Sequence, residues 1–89
     1  DPATRHPSFP VLDAEGRVLG IVDPPSVIAW RRSGQHRNTT LATLLAGTKP
    51  ILARPGEYLD EIIPRMNRAN IAHIAVADEQ DRLQGYIAW

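Results

Sequence analysis

The sequence predicts an α+β fold built from two copies of a strand–turn–strand unit with short helices between them. Three observations lead to this prediction. A hairpin pattern recurs along the chain, helix-start and helix-stop signals lie between its two copies, and an amphipathic segment precedes the second copy. The 89 residues fit one compact domain or a tight pair of half-size repeats, and they are too few for a multidomain enzyme with its own cofactor fold.

The two hairpins are related by a shift of 65 positions, which aligns residues 9–13 with residues 74–78. In the same register, Arg17 aligns with Arg82 and the in-strand glycine at position 20 aligns with that at position 85. Each copy is a short apolar run, a polar turn and a second apolar run, which is typical of two antiparallel strands. Glycine inside a strand often marks the close approach of another segment, so its recurrence predicts one packing demand in both copies.

The residues between the hairpins predict two short helices, a strand and a longer helix. Two prolines open the first helix, over residues 24–32, and Thr39 or Thr40 caps the second, over residues 41–46. A strand over residues 49–53 comes next.

The longer helix, within residues 57–69, has apolar residues at helical spacing that predict one buried face. These residues are Leu59, Ile62, Ile63, Met66 and Ala69. Pro64 lies inside this segment and predicts a kink, because proline removes a backbone hydrogen bond.

The composition excludes several classes of function. Ten Lys and Arg residues balance ten Asp and Glu residues, so the chain has no electrostatic footprint for nucleic acid. The absence of cysteine removes disulfide scaffolds, thiolate zinc sites and cysteine nucleophiles. No apolar run approaches the roughly 18 to 20 residues of a membrane span, and the first five residues lack the basic-then-apolar pattern of a signal peptide. We expect a soluble piece of a longer protein, and a domain this small favours oligomerisation.

No pattern of catalytic or metal-binding residues is present in the sequence. His6, His36 and His73 lack the spacing of metal ligands. There is no nucleophile elbow, Walker loop or Gly-rich dinucleotide turn. The sequence therefore predicts neither an enzyme nor a metal protein.

Beyond these patterns, the chain resembles a CBS domain pair, also called a Bateman module. The resemblance rests on the Pro-Val-x-Asp opening of the first hairpin at residues 10–13, on the Asp-x-x-x-Arg-hydrophobic-x-Gly pattern in both copies, and on the segment 51–76. It implies two small sheets with packing helices, related by a pseudo-twofold axis. It also implies a first repeat over residues 1–35, lacking its opening strand and helix, and a second over residues 36–89, lacking its final helix.

Within that family, residues 22–31 and 84–89 look most like the C-terminal CBS region of bacterial CLC-type chloride channels and transporters. This resemblance implies a homodimeric regulatory module on the cytoplasmic side of the cell membrane. Its partner would be the transmembrane chloride-channel domain of the same polypeptide, whose gating or assembly the module modulates.

The resemblance also implies a ligand cleft between the repeats, because many CBS pairs bind adenine nucleotides such as AMP or ATP. Their motif has a hydroxyl residue that contacts phosphate and a carboxylate that binds ribose. Here those positions hold Asp23 and Ser26, so the motif is altered, and both residues are also placed to cap a helix. The candidate cleft residues are Phe9, Pro10, Asp23, Ser26, Ile51, Ala53, His73, Ile74 and Ala88.

Two other functions remain open on the sequence alone. One is an adenine-nucleotide-sensing module of a soluble enzyme, which the altered motif disfavours. The other is a structural dimerisation module that binds no ligand.

Overall fold

The computed structural model describes residues 5–34 and 37–89, which form five strands and three helices. The strands are β1 (Phe9–Leu12), β2 (Val18–Val22), β3 (Leu52–Ala53), β4 (His73–Ala77) and β5 (Leu83–Ala88). The helices are α1 (Pro24–Ser33), α2 (Leu41–Leu45) and α3 (Leu59–Ala69). The predicted α+β class and the order of the elements are confirmed. The predicted repeat boundary at residues 35 and 36 lies outside the described residues.

The strands form two small sheets, one in each half of the chain. Strands β1 and β2 pair antiparallel, and in the second sheet β4 lies between β3, which is parallel to it, and β5, which is antiparallel. Both antiparallel pairs carry a register shift at the same point of the repeat, between Val11 and Leu12 and between Val76 and Ala77.

The sequence repeat is also a repeat in three dimensions. The Val18 N–H donates to the Asp81 carbonyl at 2.7 Å, and the Leu83 N–H donates to the Gly16 carbonyl at 2.9 Å. Positions 16 and 81, and positions 18 and 83, are equivalent in the two copies, so the bonds are reciprocal. This exchange is the signature of a pseudo-twofold axis that passes between the two hairpin turns.

The two turns have the same hydrogen bonds because each begins with an aspartate. One carboxylate oxygen of Asp13 accepts from the backbone N–H groups two and four residues further on, both at 2.9 Å, and Asp78 does the same. These backbone bonds hold the pKa of both carboxyls below the usual range. Gly16 and Asp81, at equivalent positions, both have positive φ, of 80° and 63°.

The main core lies between α3 and the second sheet. Ala53, Ile62, Met66, Ile71 and Ile74 form this cluster. The amphipathic pattern therefore identified the buried side of α3 through Ile62 and Met66, while Leu59 at its first turn is exposed. Pro64 lies within the helix, where it has no N–H to give to the carbonyl four residues earlier.

Two local expectations differ from the structure. The strand predicted over residues 49–53 is only Leu52–Ala53, because only two residues pair with β4. The close approach of another segment, predicted at the in-strand glycine of both copies, occurs in one copy. A Cβ atom on Gly20 would lie 3.0 Å from the side chain of Leu45, whereas no described atom comes within 4 Å of the same position at Gly85. Helix α2 thus covers β2, and no described element covers β5 at this point.

Candidate functional site

A groove of about 290 Å³ lies where the start of α1 meets the segment that leads from α2 into β3. We call it the inter-repeat groove. Its walls come from both halves of the chain, and the side chains that define it are Ile21, Asp23, Trp30, Lys49, Ile51 and Ile71. A molecule in this groove would contact both repeats at once.

Three of the predicted cleft residues, Asp23, Ser26 and Ile51, line this groove. Asp23 is the N-cap of α1, where its carboxylate accepts from the Ser26 N–H at 2.9 Å. The predicted capping role is therefore confirmed, and it stabilises the helix start by satisfying a backbone donor that has no partner within the helix.

Two other predicted residues, Phe9 and His73, lie in a stack of three rings away from the groove. The His73 ring is parallel to Tyr86, with centroids 5.4 Å apart, and its centroid is 6.4 Å from that of Phe9. The Ser8 hydroxyl donates to the His73 carbonyl at 2.7 Å, which adds a polar link between β4 and the residue preceding β1. Burial raises the pKa of the Tyr86 phenol. The stack therefore joins the two repeats, and sequence reasoning did not identify Tyr86.

The remaining predicted residues do not line the groove. Ala53 and Ile74 are fully buried in the core against α3, because their positions in β3 and β4 place their side chains on the inner face of the sheet. Pro10 pairs with Ile21 in the first sheet, and Ala88 pairs with His73 at the end of β5. For these four residues the resemblance identified strands of both repeats but not the lining of the groove.

Sequence reasoning also missed the polar residues on the second wall of the groove. Thr48 and Lys49 lie between α2 and β3 and line it. The Thr48 hydroxyl donates to the Leu45 carbonyl at 2.6 Å, and Lys49 is exposed. The only signal for them was a polar pair directly before Pro50, which is also typical of an ordinary loop.

The described part of the chain has other depressions, and two of them lie beside the turns and beside α1. A shallow one of about 770 Å³ lies between the turns at residues 54–56 and 78–80. The guanidinium group of Arg54 lines it and already has partners, because it donates to the Asp78 carbonyl and forms an ion pair with Asp81 at 2.9 Å. An apolar one of about 280 Å³ lies between Phe9 and Ile28, and both of these side chains are exposed.

Residues 5–34 and 37–89 contain no cluster of three or more His, Cys, Asp or Glu side chains with the geometry of a metal site. In the same residues, no helix is both long enough and apolar enough to cross a membrane.

A family model for the CBS domain matches residues 43–88, more than half of the chain. The chain belongs to the CBS domain family. The match includes α3 and the second sheet, and solved CBS domain pairs extend the likeness to the first hairpin, because each covers 91% of the chain. The predicted tandem architecture is therefore confirmed. The comparison with curated proteins finds no significant match.

Three solved structures illustrate the likeness. The CBS domain pair of protein MJ0100, in complex with 5′-methylthioadenosine and S-adenosyl-L-methionine, is 21% identical with a TM-score of 0.66, and 62% of it is covered. A putative acetoin utilization protein (AcuB) from Vibrio cholerae is 27% identical with a TM-score of 0.71 and is 60% covered. The cytosolic domain of the Mg²⁺ channel MgtE, in complex with ATP, is 21% identical with a TM-score of 0.67 and is 30% covered. The chain thus spans less than two thirds of each of these CBS proteins.

Proposed function

We propose that this CBS module binds an adenosine-containing ligand in the inter-repeat groove and thereby regulates the protein to which it is attached. The observation that carries the proposal is the groove itself, because Asp23 and Trp30 of the first half line it together with Lys49 and Ile51 of the second. A ligand there would bind one relative arrangement of the repeats better than another. It shifts the balance between arrangements only by that difference in affinity.

The ligands of two neighbours support this choice of chemistry. The MJ0100 pair is described with 5′-methylthioadenosine and S-adenosyl-L-methionine, and the MgtE cytosolic domain with ATP. All three molecules contain adenosine. The module itself is proposed to be non-catalytic, and to act by binding alone.

A thermal-denaturation titration of the 89-residue chain tests the ligand proposal. Adenosine, AMP, ATP and S-adenosylmethionine are added separately, with and without Mg²⁺. A ligand at 100 times its Kd stabilises the native state by about 2.7 kcal/mol, which for a domain of this size raises Tm by roughly 10 to 20 °C. No shift with any of them would favour a structural dimerisation module without a ligand.

A matched pair of variants locates the site. Ile51→Trp fills the groove and should abolish the shift. Leu59→Trp introduces the same ring at an exposed position on α3 that does not line the groove, and should leave the shift unchanged. An unchanged shift in Ile51→Trp, with circular dichroism showing a folded protein, would place the ligand elsewhere.

We propose that the attached protein is a CLC-type chloride channel or transporter, with this module on the cytoplasmic side of the cell membrane. The support is the resemblance of residues 22–31 and 84–89 to that subfamily. The MgtE cytosolic domain is a precedent for this fold in a membrane protein that moves ions. The second candidate is a regulatory module of a soluble enzyme, and its support is the likeness to AcuB, a putative acetoin utilization protein.

Chloride flux from liposomes reconstituted with the full-length polypeptide distinguishes these two candidates. We expect chloride flux that changes when the ligand is added and that no longer responds in the Ile51→Trp variant. A full-length polypeptide without membrane-spanning segments would refute the channel proposal and leave the soluble alternative.

We also propose that the module forms a homodimer through α1. No residue of this helix is buried, and Ile28 is 50% exposed beside Phe9, which is 58% exposed. Apolar side chains gathered at one surface of a small domain mark an interaction site. Sedimentation of the 89-residue chain over a concentration range tests this proposal.

A further inference from the structure

The inter-repeat groove has few hydrogen-bond donors for an anion, and the start of α1 shows why. A helix N-terminus ordinarily offers four free backbone N–H groups, which bind phosphate well. In α1 the first two positions are Pro24 and Pro25, which have no N–H. The Ser26 N–H bonds to the Asp23 carboxylate at 2.9 Å, so three of the four donors are not available. From Val27 onward the N–H groups make ordinary helical bonds, the first to the Asp23 carbonyl at 3.1 Å.

The other polar groups of the groove make up for only part of this loss, because its neutral side-chain donors, apart from Thr48, are the Ser26 hydroxyl and the Trp30 indole N–H. Thr48 uses its hydroxyl to donate to the Leu45 carbonyl. Among the described lining residues, Lys49 is the one cation, and it is exposed, while Asp23 is the one anion. The two charges cancel, so the groove as a whole does not attract a phosphate, and a phosphate near Asp23 meets direct repulsion.

The rest of the lining suits an uncharged or cationic ring system. Trp30 contributes an aromatic surface, and Ile21, Ile51 and Ile71 contribute apolar surface. The volume of about 290 Å³ is at the small end of ligand pockets. It is suited to a nucleoside more than to a nucleoside triphosphate.

We propose that the groove selects an adenosine derivative whose 5′ substituent carries no phosphate, either uncharged or positively charged. This inference rests on the proposed function, since that proposal supplies the adenosine part of the ligand. Asp23 is the specificity-determining residue, because it caps α1 and places a negative charge in the groove at the same time.

Isothermal titration calorimetry of the 89-residue chain with adenosine and AMP tests the inference, because the two molecules differ by one phosphate. S-adenosylmethionine serves as the cationic ligand and ATP as the most highly charged anion. We expect adenosine or S-adenosylmethionine to bind at least about tenfold more tightly than AMP or ATP, which corresponds to about 1.4 kcal/mol. Equal or tighter binding of AMP would overturn the inference while leaving the proposed function intact.

The Asp23→Ser variant tests whether the carboxylate is the cause. Serine keeps a helix cap and removes the charge, so the preference for adenosine over AMP should fall to within about threefold. Asp60→Ser, which removes an exposed carboxylate of α3 outside the groove, should retain the wild-type preference. An unchanged preference in Asp23→Ser would overturn the role of Asp23. If no adenosine compound binds the folded wild-type chain, the proposed function fails, and this inference fails with it.

Discussion

The ion pair between Glu57 and Arg65 is expected to make the stability of the module depend on pH. Glu57 precedes α3, and one of its carboxylate oxygens accepts from the Arg54 N–H at 2.8 Å and from Arg65 Nη1 at 2.9 Å. Arg65 Nη2 donates to the other oxygen, and Arg65 Nη1 also donates to the Leu52 carbonyl at 2.7 Å. The pair therefore connects β3 to the middle of α3.

These bonds, led by those from Arg65, lower the pKa of Glu57 from 4.5 to about 2. Because the folded-state pKa lies below the unfolded value, the stabilisation is complete well above pH 4.5 and is lost as the pH falls towards 2. The shift corresponds to an upper limit of about 3 kcal/mol. The Glu57 side chain is 21% exposed, so solvent screening reduces the expected contribution to about 1 to 2 kcal/mol.

Urea denaturation of the wild-type chain and of Glu57→Gln at several pH values measures this contribution. The variant should be less stable by about 1 to 2 kcal/mol at pH 7, and the difference should approach zero near pH 2. Glu79→Gln, which removes an exposed carboxylate of a turn, should match the wild type at every pH. An equal loss in Glu57→Gln at pH 7 and pH 2 would show that packing, not charge, is the cause.

Two further predictions concern packing and assembly. Gly20→Ala should lower the free energy of unfolding by about 1 kcal/mol in urea denaturation, because the added methyl group meets Leu45. Gly85→Ala should be neutral or slightly stabilising, because no described atom lies near that position. Equal effects of the two variants would contradict the packing difference between the copies. Ile28→Glu should convert the proposed dimer to a monomer in sedimentation, while Leu41→Glu, at an exposed apolar position on α2, should leave it intact. A dimer that persists in Ile28→Glu would exclude α1 as the interface.

The hairpin repeat was predictable because its determinants are local. Each turn depends on one aspartate that bonds to backbone N–H groups within four residues, and each pair of strands follows from alternating or continuous apolar runs. The reciprocal bonds between the turns were not predictable from such patterns, because they join backbone groups of residues 16–18 and 81–83. The sequence repeat aligns Arg17 with Arg82, and in the structure these two residues form an isolated β-bridge between the copies.

The groove was only partly predictable. Asp23 and Ser26 follow a strand and begin a helix, a position that sequence alone can assign. Lys49 lines the same groove as Trp30 because α2 packs over β2, where Leu45 lies against Gly20. That contact depends on the path of the chain after α1, and no local pattern specifies it. Ala53 and Ile74 were expected in the cleft from the family resemblance, but in β3 and β4 their side chains pack into the core against α3.

Helix α1 connects the two surfaces on which the proposed function depends. Asp23 and Trp30 line the inter-repeat groove, while Val27 and Ile28 line the exposed apolar surface beside Phe9. Because no residue of α1 is buried, few contacts hold this helix in place, and elements of that kind move most readily. A ligand bound in the groove as proposed would therefore bias the surface of the proposed dimer. Such a coupling would be reciprocal by thermodynamic necessity, so dimerisation would strengthen or weaken ligand binding by the same factor by which the ligand strengthens or weakens the dimer.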